Sequence, residues 1–395
     1  MVSRDAVPLR HYFDWAATAI PDVFPNSGNG GGPGPAEGPP PFGNPSSPHL
    51  EGRAARDSLE EARSRCAAAL GVEPAQIYFS SGGTESNAIV IYSHLLNKSG
   101  GQILASAAEH ASVRENINIL AGLGKETARI PVDESGRVSP ALLSRTLEKY
   151  PRARFAAIMA VNNETGAVMD MAALGGVLRS REGPPIHFHC DIVQAAGKIV
   201  LDFAGWGLDS AALSAHKLGG PRGAGLLYLR RPLKALYAGG GQEGGIRPGS
   251  ENTAGALALA ACLENRATPE AVNRAGDAAS RRWKTLIGAL RAMDRCSLIP
   301  AGRPAEGGGF SPYILQAAFD GVPGEVMVRA LDDLGFAVST GSACSSASPE
   351  RPVLEAMGVD PKRRLEGIRI SQGWSTTDEE IELLIQAINE VLAFL

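Results

Sequence analysis

At 395 residues, with 44% hydrophobic and 20% charged side chains, the chain is long enough for two or three domain cores and is not a disordered segment. Its net charge of −4 and the lack of any dense run of Lys and Arg remove general electrostatic attraction to nucleic acid or anionic membrane as a basis for function. No stretch has the apolar length of a membrane span or of a signal-peptide core, so the expected location is the cytoplasm, with neither nucleic acid nor membrane as partner.

Residues 26–45, NSGNGGGPGPAEGPPPFGNP, hold seven Gly and six Pro and read as a loop. Helical LEGRAARDSLEEARSRCAAALG follows, ending at Gly71, and strand QIYF then leads into a Gly turn. QILAS, RFAAIMAV, IHFHCD, SAALSA and GAGLLYL are near-continuous apolar runs, as in strands covered on both faces, with helical LLSRTLEKY and MAALGGVLRSRE between several of them. This alternation predicts an α/β fold with a mostly parallel sheet sandwiched by helices. A Gly-rich break, AGGGQEGGIRPGSENTAG, closes that region near residue 255, and one long helical stretch is predicted over 256–293. Strand-like YILQAAF and FAVST, with helical PGEVMVRALDDLG and TDEEIELLIQAINEVLAFL, predict a smaller α/β domain. The domain boundaries expected are 20–255 for the large domain, with 1–19 and 256–395 forming the small one.

Five widely spaced cysteines without a CxxC pair argue against disulfides and against a metal site. Cys66, Cys190, Cys262 and Cys296 sit among apolar or helical neighbours and read as buried small hydrophobes. Cys344 lies instead in STGSACSSAS, a hydroxyl-rich segment suited to an exposed loop, where a thiolate can act as a nucleophile.

Several segments place reactive groups where strands end. In FSSGGTESNAIVIY, Gly83 and Thr84 stand at the start of a helix, where backbone N–H groups and the helix terminus suit a phosphate. In SAHKLGGPRGAG, Lys217 follows Ser214 and His216 at the end of an apolar strand, where a desolvated amine suits imine formation. Asp191 ends a strand in IHFHCDIVQAAGK, with Gln194 three residues on, and a carboxylate there is placed to pair with a protonated ring nitrogen. His110 in ASAAEHASV and Asn163 in AVNNETGAV occupy loop positions after strands, and His110 suits stacking and proton transfer. Singly, each has an ordinary structural reading: a helix-capping Asp, a surface Lys, a structural His.

As an ordered set these segments, with YFDWAATAIP, GNPSSPH, GGGQEGGIRPGSEN, STGSACSSAS and IRISQGW, closely resemble the cysteine desulfurases among the class V aminotransferase-like enzymes of fold type I. The resemblance implies a pyridoxal 5′-phosphate enzyme that converts L-cysteine to L-alanine and leaves the sulfur as a persulfide on Cys344, for a sulfur-acceptor protein or small thiol in iron–sulfur or thio-cofactor synthesis. It further implies Lys217 as the imine-forming lysine, Asp191 at the pyridine nitrogen, His110 over the ring, and Gln194 and Asn163 at the ring oxygen and the substrate side. Gly83, Thr84, Ser214 and His216 would hold the phosphate, with Ser250 reaching it across a homodimer. Arg369 would take the substrate carboxylate through its bidentate fork, and Asn44 lies in a segment the family places near the site. Selenocysteine lyase, with the same fold and cofactor, is the competing expectation. The chain departs from the family pattern in its long Gly/Pro segment, in Gly244 and Ser250, and in stopping at AINEVLAFL without the tail some members use to dock a scaffold, which leaves the acceptor open.

Overall fold

A computed structural model describes residues 10–21, 42–96, 100–341 and 351–395. In chain order the elements are β1 (His11–Tyr12), α1 (Leu50–Leu70), β2 (Ile77–Ser80), α2 (Gly83–Ser93), β3 (Gln102–Ser106), α3 (Ala111–Gly122), β4 (Thr127–Ile130) and α4 (Pro140–Lys149). There follow β5 (Ala153–Ala157), α5 (Met171–Ser180), β6 (His187–Asp191), α6 (Phe203–Trp206), β7 (Ser210–Ser214), β8 (Gly225–Leu229), α7 (Thr253–Arg266) and α8 (Pro269–Arg291). The chain ends with β9 (Cys296–Ile299), β10 (Ile314–Phe319), α9 (Gly324–Asp333), β11 (Phe336–Ala337), α10 (Pro352–Ala356), α11 (Pro361–Glu366), β12 (Gly367–Ser371) and α12 (Asp378–Phe394). Most of the Gly/Pro segment, residues 22–41, and the Cys344 segment, residues 342–350, lie outside the described residues.

A seven-stranded sheet has the order β2-β8-β7-β6-β5-β3-β4. Strands β7, β6, β5, β3 and β4 run parallel, and β8 is antiparallel to both its neighbours. Every residue of β3, β7 and β8 is buried, which is why these strands read as unbroken apolar runs. Alternate side chains enter two cores. Leu104, Ala156 and Leu226 join one with α1, α4, α5 and α7, while Ile103, Phe155 and Leu227 join the other with α2 and α3. A second sheet, β12-β10-β9, is antiparallel and packs its core against α8, α9 and α12. The β1 strand pairs with β11, which ties the N-terminal segment to this second sheet's side of the molecule.

The helical stretch predicted as one run over 256–293 is two helices. Thr268 caps α8 by accepting from Ala271 N–H, and Pro269 takes the first helical position, where its missing N–H costs nothing. A proline inside a continuous helix would have removed a hydrogen bond and clashed with the preceding turn. RFAAIMAV likewise forms a regular strand only through Ala157, and beyond it Ile158 and Ala160 N–H still donate to the carbonyls of His189 and Asp191 on β6.

Cys66, Cys190 and Cys262 are buried and Cys296 is partly so. Burial pushes the thiols of Cys66, Cys262 and Cys296 up to about 12 and that of Cys190 well above the usual range, so none is a thiolate at neutral pH.

Behind the sheet, His94 packs on Phe155 and His187, and Phe155 stacks on His189. Burial lowers His94 to about 3, His187 to about 4 and His189 to about 3. A histidine that stays neutral when folded but protonates near 6.5 when unfolded makes the unfolded chain the better proton binder below that pH, so its contribution is lost as pH falls. We expect His94→Phe to flatten the loss of urea-unfolding free energy between pH 6.5 and pH 4.5 by roughly 1 kcal/mol per pH unit. Parallel pH profiles for the two proteins would exclude this account.

Candidate active site

Parallel strands deliver their carboxyl ends to one place, and the turns leaving β3, β5, β6 and β7 line a single cavity of about 230 Å³. His110, Met159, Asn163, Gln194, His216 and Lys217 come from these turns, Asp191 and Ser214 from the last positions of β6 and β7, Gly83 and Thr84 from the start of α2, and Arg369 from β12. Nine of the residues singled out in the sequence are thus brought together with Arg369. Asn44 and Ser250 are not. Asn44 is exposed and its Oδ1 accepts from Ser46 N–H two residues on, the local turn role common for Asn. Ser250 is exposed, outside its own chain's cavity, and its carbonyl accepts from Arg247. Cys344 lies outside the described residues.

Gly82 opens α2 at φ 148°, a conformation that side-chain-bearing residues rarely adopt. A Cβ added to Gly83 would stand 2.6 Å from Val193 Cγ2, so glycine here keeps the helix N-terminus open beside the cavity. Gly225 on β8 is as tightly placed, since its Cβ would come within 2.3 Å of Gly82 Cα.

Asp191 is 4% exposed. Its Oδ1 accepts from Val193 N–H at 2.9 Å and its Oδ2 from Asn87 Nδ2 at 2.9 Å. Asn87 also donates to Ser112 Oγ at 2.8 Å, and its Oδ1 accepts from His189 Nε2 at 2.8 Å. Because Ser112 N–H donates to His110 Nδ1 at 3.1 Å, neutral His110 carries its proton on Nε2. Asn87 and Ser112 therefore join Asp191 to His110 through neutral groups. Burial lowers the His110 imidazole below its usual range, Asp191 opposes that by raising it, and Lys217 adds to the lowering.

Lys217 Nζ donates to the carbonyls of Ala16 and Ala17, each at 2.6 Å. Gln194 Nε2 donates to the same Ala16 carbonyl at 2.8 Å, and Lys198 Nζ donates to Gln194 Oε1 at 2.7 Å. Arg369, 2% exposed, holds the carbonyl of Asn163 at 3.0 Å and Asp14 Oδ1 at 2.7 Å. Sequence reasoning assigned no role to Asp14, Asn87, Ser112 or Lys198. Spacing hinted at a role for Ser112, two residues after His110, and for Lys198, four after Gln194, and at none for Asp14 or Asn87.

These residues fit pyridoxal phosphate. The α2 terminus with Thr84, Ser214 and His216 suits the phosphate, the buried Asp191 carboxylate suits a protonated ring nitrogen, and the His110 imidazole supplies a flat wall. Asn163 Oδ1, buried without a hydrogen-bond partner among the described residues, marks a polar position that a bound group would satisfy.

The family profile for aminotransferase class-V matches residues 42–384. A NifS/IcsS protein homolog of Lactobacillus delbrueckii subsp. bulgaricus is 37% identical over 89% of this chain and 90% of its own. The cysteine desulfurase IscS of Vibrio cholerae is 36% identical over 88% of this chain and 84% of its own. A solved NifS-like protein superposes with a TM-score of 0.85 at 30% identity, covering 98% of this chain and 100% of that one.

The hydrogen-bonded link between Asp191 and His110 has a measurable sign. Replacing the carboxylate by an amide in Asp191→Asn removes the group that raises His110, so the His110 midpoint should fall further. Histidine-ring NMR across pH reads this directly, and an unmoved or higher midpoint would contradict it.

Proposed function

We propose, for a chain that belongs to the aminotransferase class-V family and within it to the pyridoxal phosphate-dependent cysteine desulfurases, that the cavity described here takes L-cysteine and releases alanine. The observation that carries the assignment of roles is the convergence of Lys217, Asp191, His110 and Arg369 on one cavity from four separate elements.

Thr84, Ser214 and His216 would grip the cofactor's phosphate at the α2 terminus, Asp191 its ring nitrogen, Gln194 its ring oxygen, and His110 its ring face. Lys217 would hold it covalently through Nζ. When bound, the cofactor supplies an electron sink for the pair released at the substrate's Cα.

Arg369 presents a planar guanidinium to the substrate carboxylate and orients Cα toward Lys217. Asp14 holds that guanidinium in place by accepting from Nη2. Lys217 Nζ, once free, would remove the Cα proton of the bound substrate and return protons later. His110, neutral and protonated on Nε2, offers a hydrogen-bond donor on the ring face of the site. The Cys344 thiolate attacks the substrate sulfur, and an S–S bond forms as the Cβ–S bond breaks with its electron pair left on carbon. Protonation of that carbon completes alanine, and Cys344 keeps the sulfur as a persulfide for an acceptor protein or thiol. The four other cysteines, with thiols raised by burial, are unsuited to this step. A homodimer in which Ser250 reaches the partner's phosphate site accords with the exposure of Ser250.

The test is release of alanine and sulfide from L-cysteine with a reductant. Cys344→Ser should bind cofactor and cysteine with wild-type spectra while losing about 100-fold or more of sulfide release, the scale of losing a reacting group. Undiminished turnover in that variant would overturn the persulfide route. Preference for selenocysteine over cysteine in kcat/KM would favour the lyase reading instead.

A further inference from the structure

Lys198 is 8% exposed, at the end of the turn that follows β6. Its Nζ donates to Gln194 Oε1 at 2.7 Å, while Gln194 Nε2 donates to the Ala16 carbonyl at 2.8 Å beside the cavity. The two ends of this amide cannot be exchanged. Rotation by half a turn would set NH2 against the donors of Lys198 and oxygen against the oxygen of Ala16. One orientation is therefore enforced, with the donor end on the cavity side.

A buried amine is an expensive way to hold an amide. The charged groups that act on it are Lys217 and Arg369, both cations of the same cavity, and burial first, then these two, lower the amine to about 7. An arrangement so unfavourable to a buried ammonium accords with a role at the site rather than in the core. Gly197, at φ 70°, makes the turn that brings Lys198 back under Gln194, and a Cβ there would stand 2.7 Å from Leu218 Cδ2.

We propose that Lys198 is a positioning residue: its amine fixes and polarises the Gln194 side chain so that Nε2 donates to the ring oxygen of bound pyridoxal phosphate. Lys198 touches neither cofactor nor substrate and acts through Gln194. The inference rests on the cavity being the cofactor site. The amine donating to Gln194 Oε1 polarises the amide so that its Nε2 end favours negative charge on the ring oxygen, and removing it should raise the pH at which the bound cofactor's visible absorption changes.

The experiment titrates pyridoxal phosphate into cofactor-free protein and then follows the visible band of the loaded protein against pH. Lys198→Met should weaken retention about 10-fold and raise the spectral midpoint by about 0.5–1 unit, whereas Lys198→Arg should keep most of both. In a Gln194→Ala background, Lys198→Met should add little, because the two side chains act as one unit. A Lys198→Met protein that melts at lower temperature but keeps the wild-type affinity and midpoint would reduce Lys198 to a structural residue and overturn the proposal. Fully additive effects with Gln194→Ala would do the same. Should Lys198→Met not fold, Lys198→Gln makes the same comparison. Failure of the wild-type chain to take up pyridoxal phosphate would overturn the cofactor-site reading first, and the role of Lys198 with it.

Discussion

The site depends on a short N-terminal segment, residues 13–18, held between the two sheets. Phe13 N–H donates to Ala337 and the Phe13 carbonyl accepts from Ser371 N–H, each at 2.8 Å, while Ala16 N–H donates to Ser371 Oγ at 2.9 Å. So anchored on the second sheet, the segment turns its remaining groups toward the seven-stranded one. Ala16 and Ala17 present carbonyls to Lys217, Ala16 also accepts from Gln194, Thr18 Oγ1 meets His216 Nδ1 at 3.1 Å, and Asp14 pairs with Arg369. Its backbone cannot move without releasing both the amine and the guanidinium on which the chemistry relies.

Around that anchor, charged groups are separated by neutral amides and hydroxyls. Asp191 is held by a backbone N–H and by Asn87, and the link onward to His110 passes through Ser112. Neutral donors satisfy a carboxylate without cancelling its charge, so it stays available to a protonated ring. Burial around the same network keeps the imidazole of His110 neutral, and the Ser112 N–H sets its tautomer. Elsewhere in the fold, burial raises thiols and lowers imidazoles, which makes those groups inert at neutral pH.

Residues whose chemistry follows from local context were legible. Asp191 and Lys217 stand where apolar strands stop, and Gly83 stands where a strand turns into a helix, so the parallel sheet that those runs imply places all three at one edge. Asn87 was not legible, because a mid-helix Asn carries no sign of the carboxylate it will meet 104 residues later in the chain. Asp14 is separated from Arg369 by 355 positions, and nothing in YFDWAATAIP announces that pairing. The helix break at Thr268 and Pro269 could have been read from the residues themselves, since proline at the first position after a capping Thr is a start signal.

By itself, the sequence determined the α/β alternation, the buried parallel strands and the identity of the reactive side chains, because hydrophobic periodicity and strand-end position are local properties of the chain. Tertiary structure alone decided which of those side chains meet, in what orientation, and with what proton affinity. Asn44 fell outside the cavity and Lys198 fell beneath it for the same reason: distance, burial and hydrogen-bond partners depend on groups brought from far along the chain, and a local stretch of sequence carries no record of them.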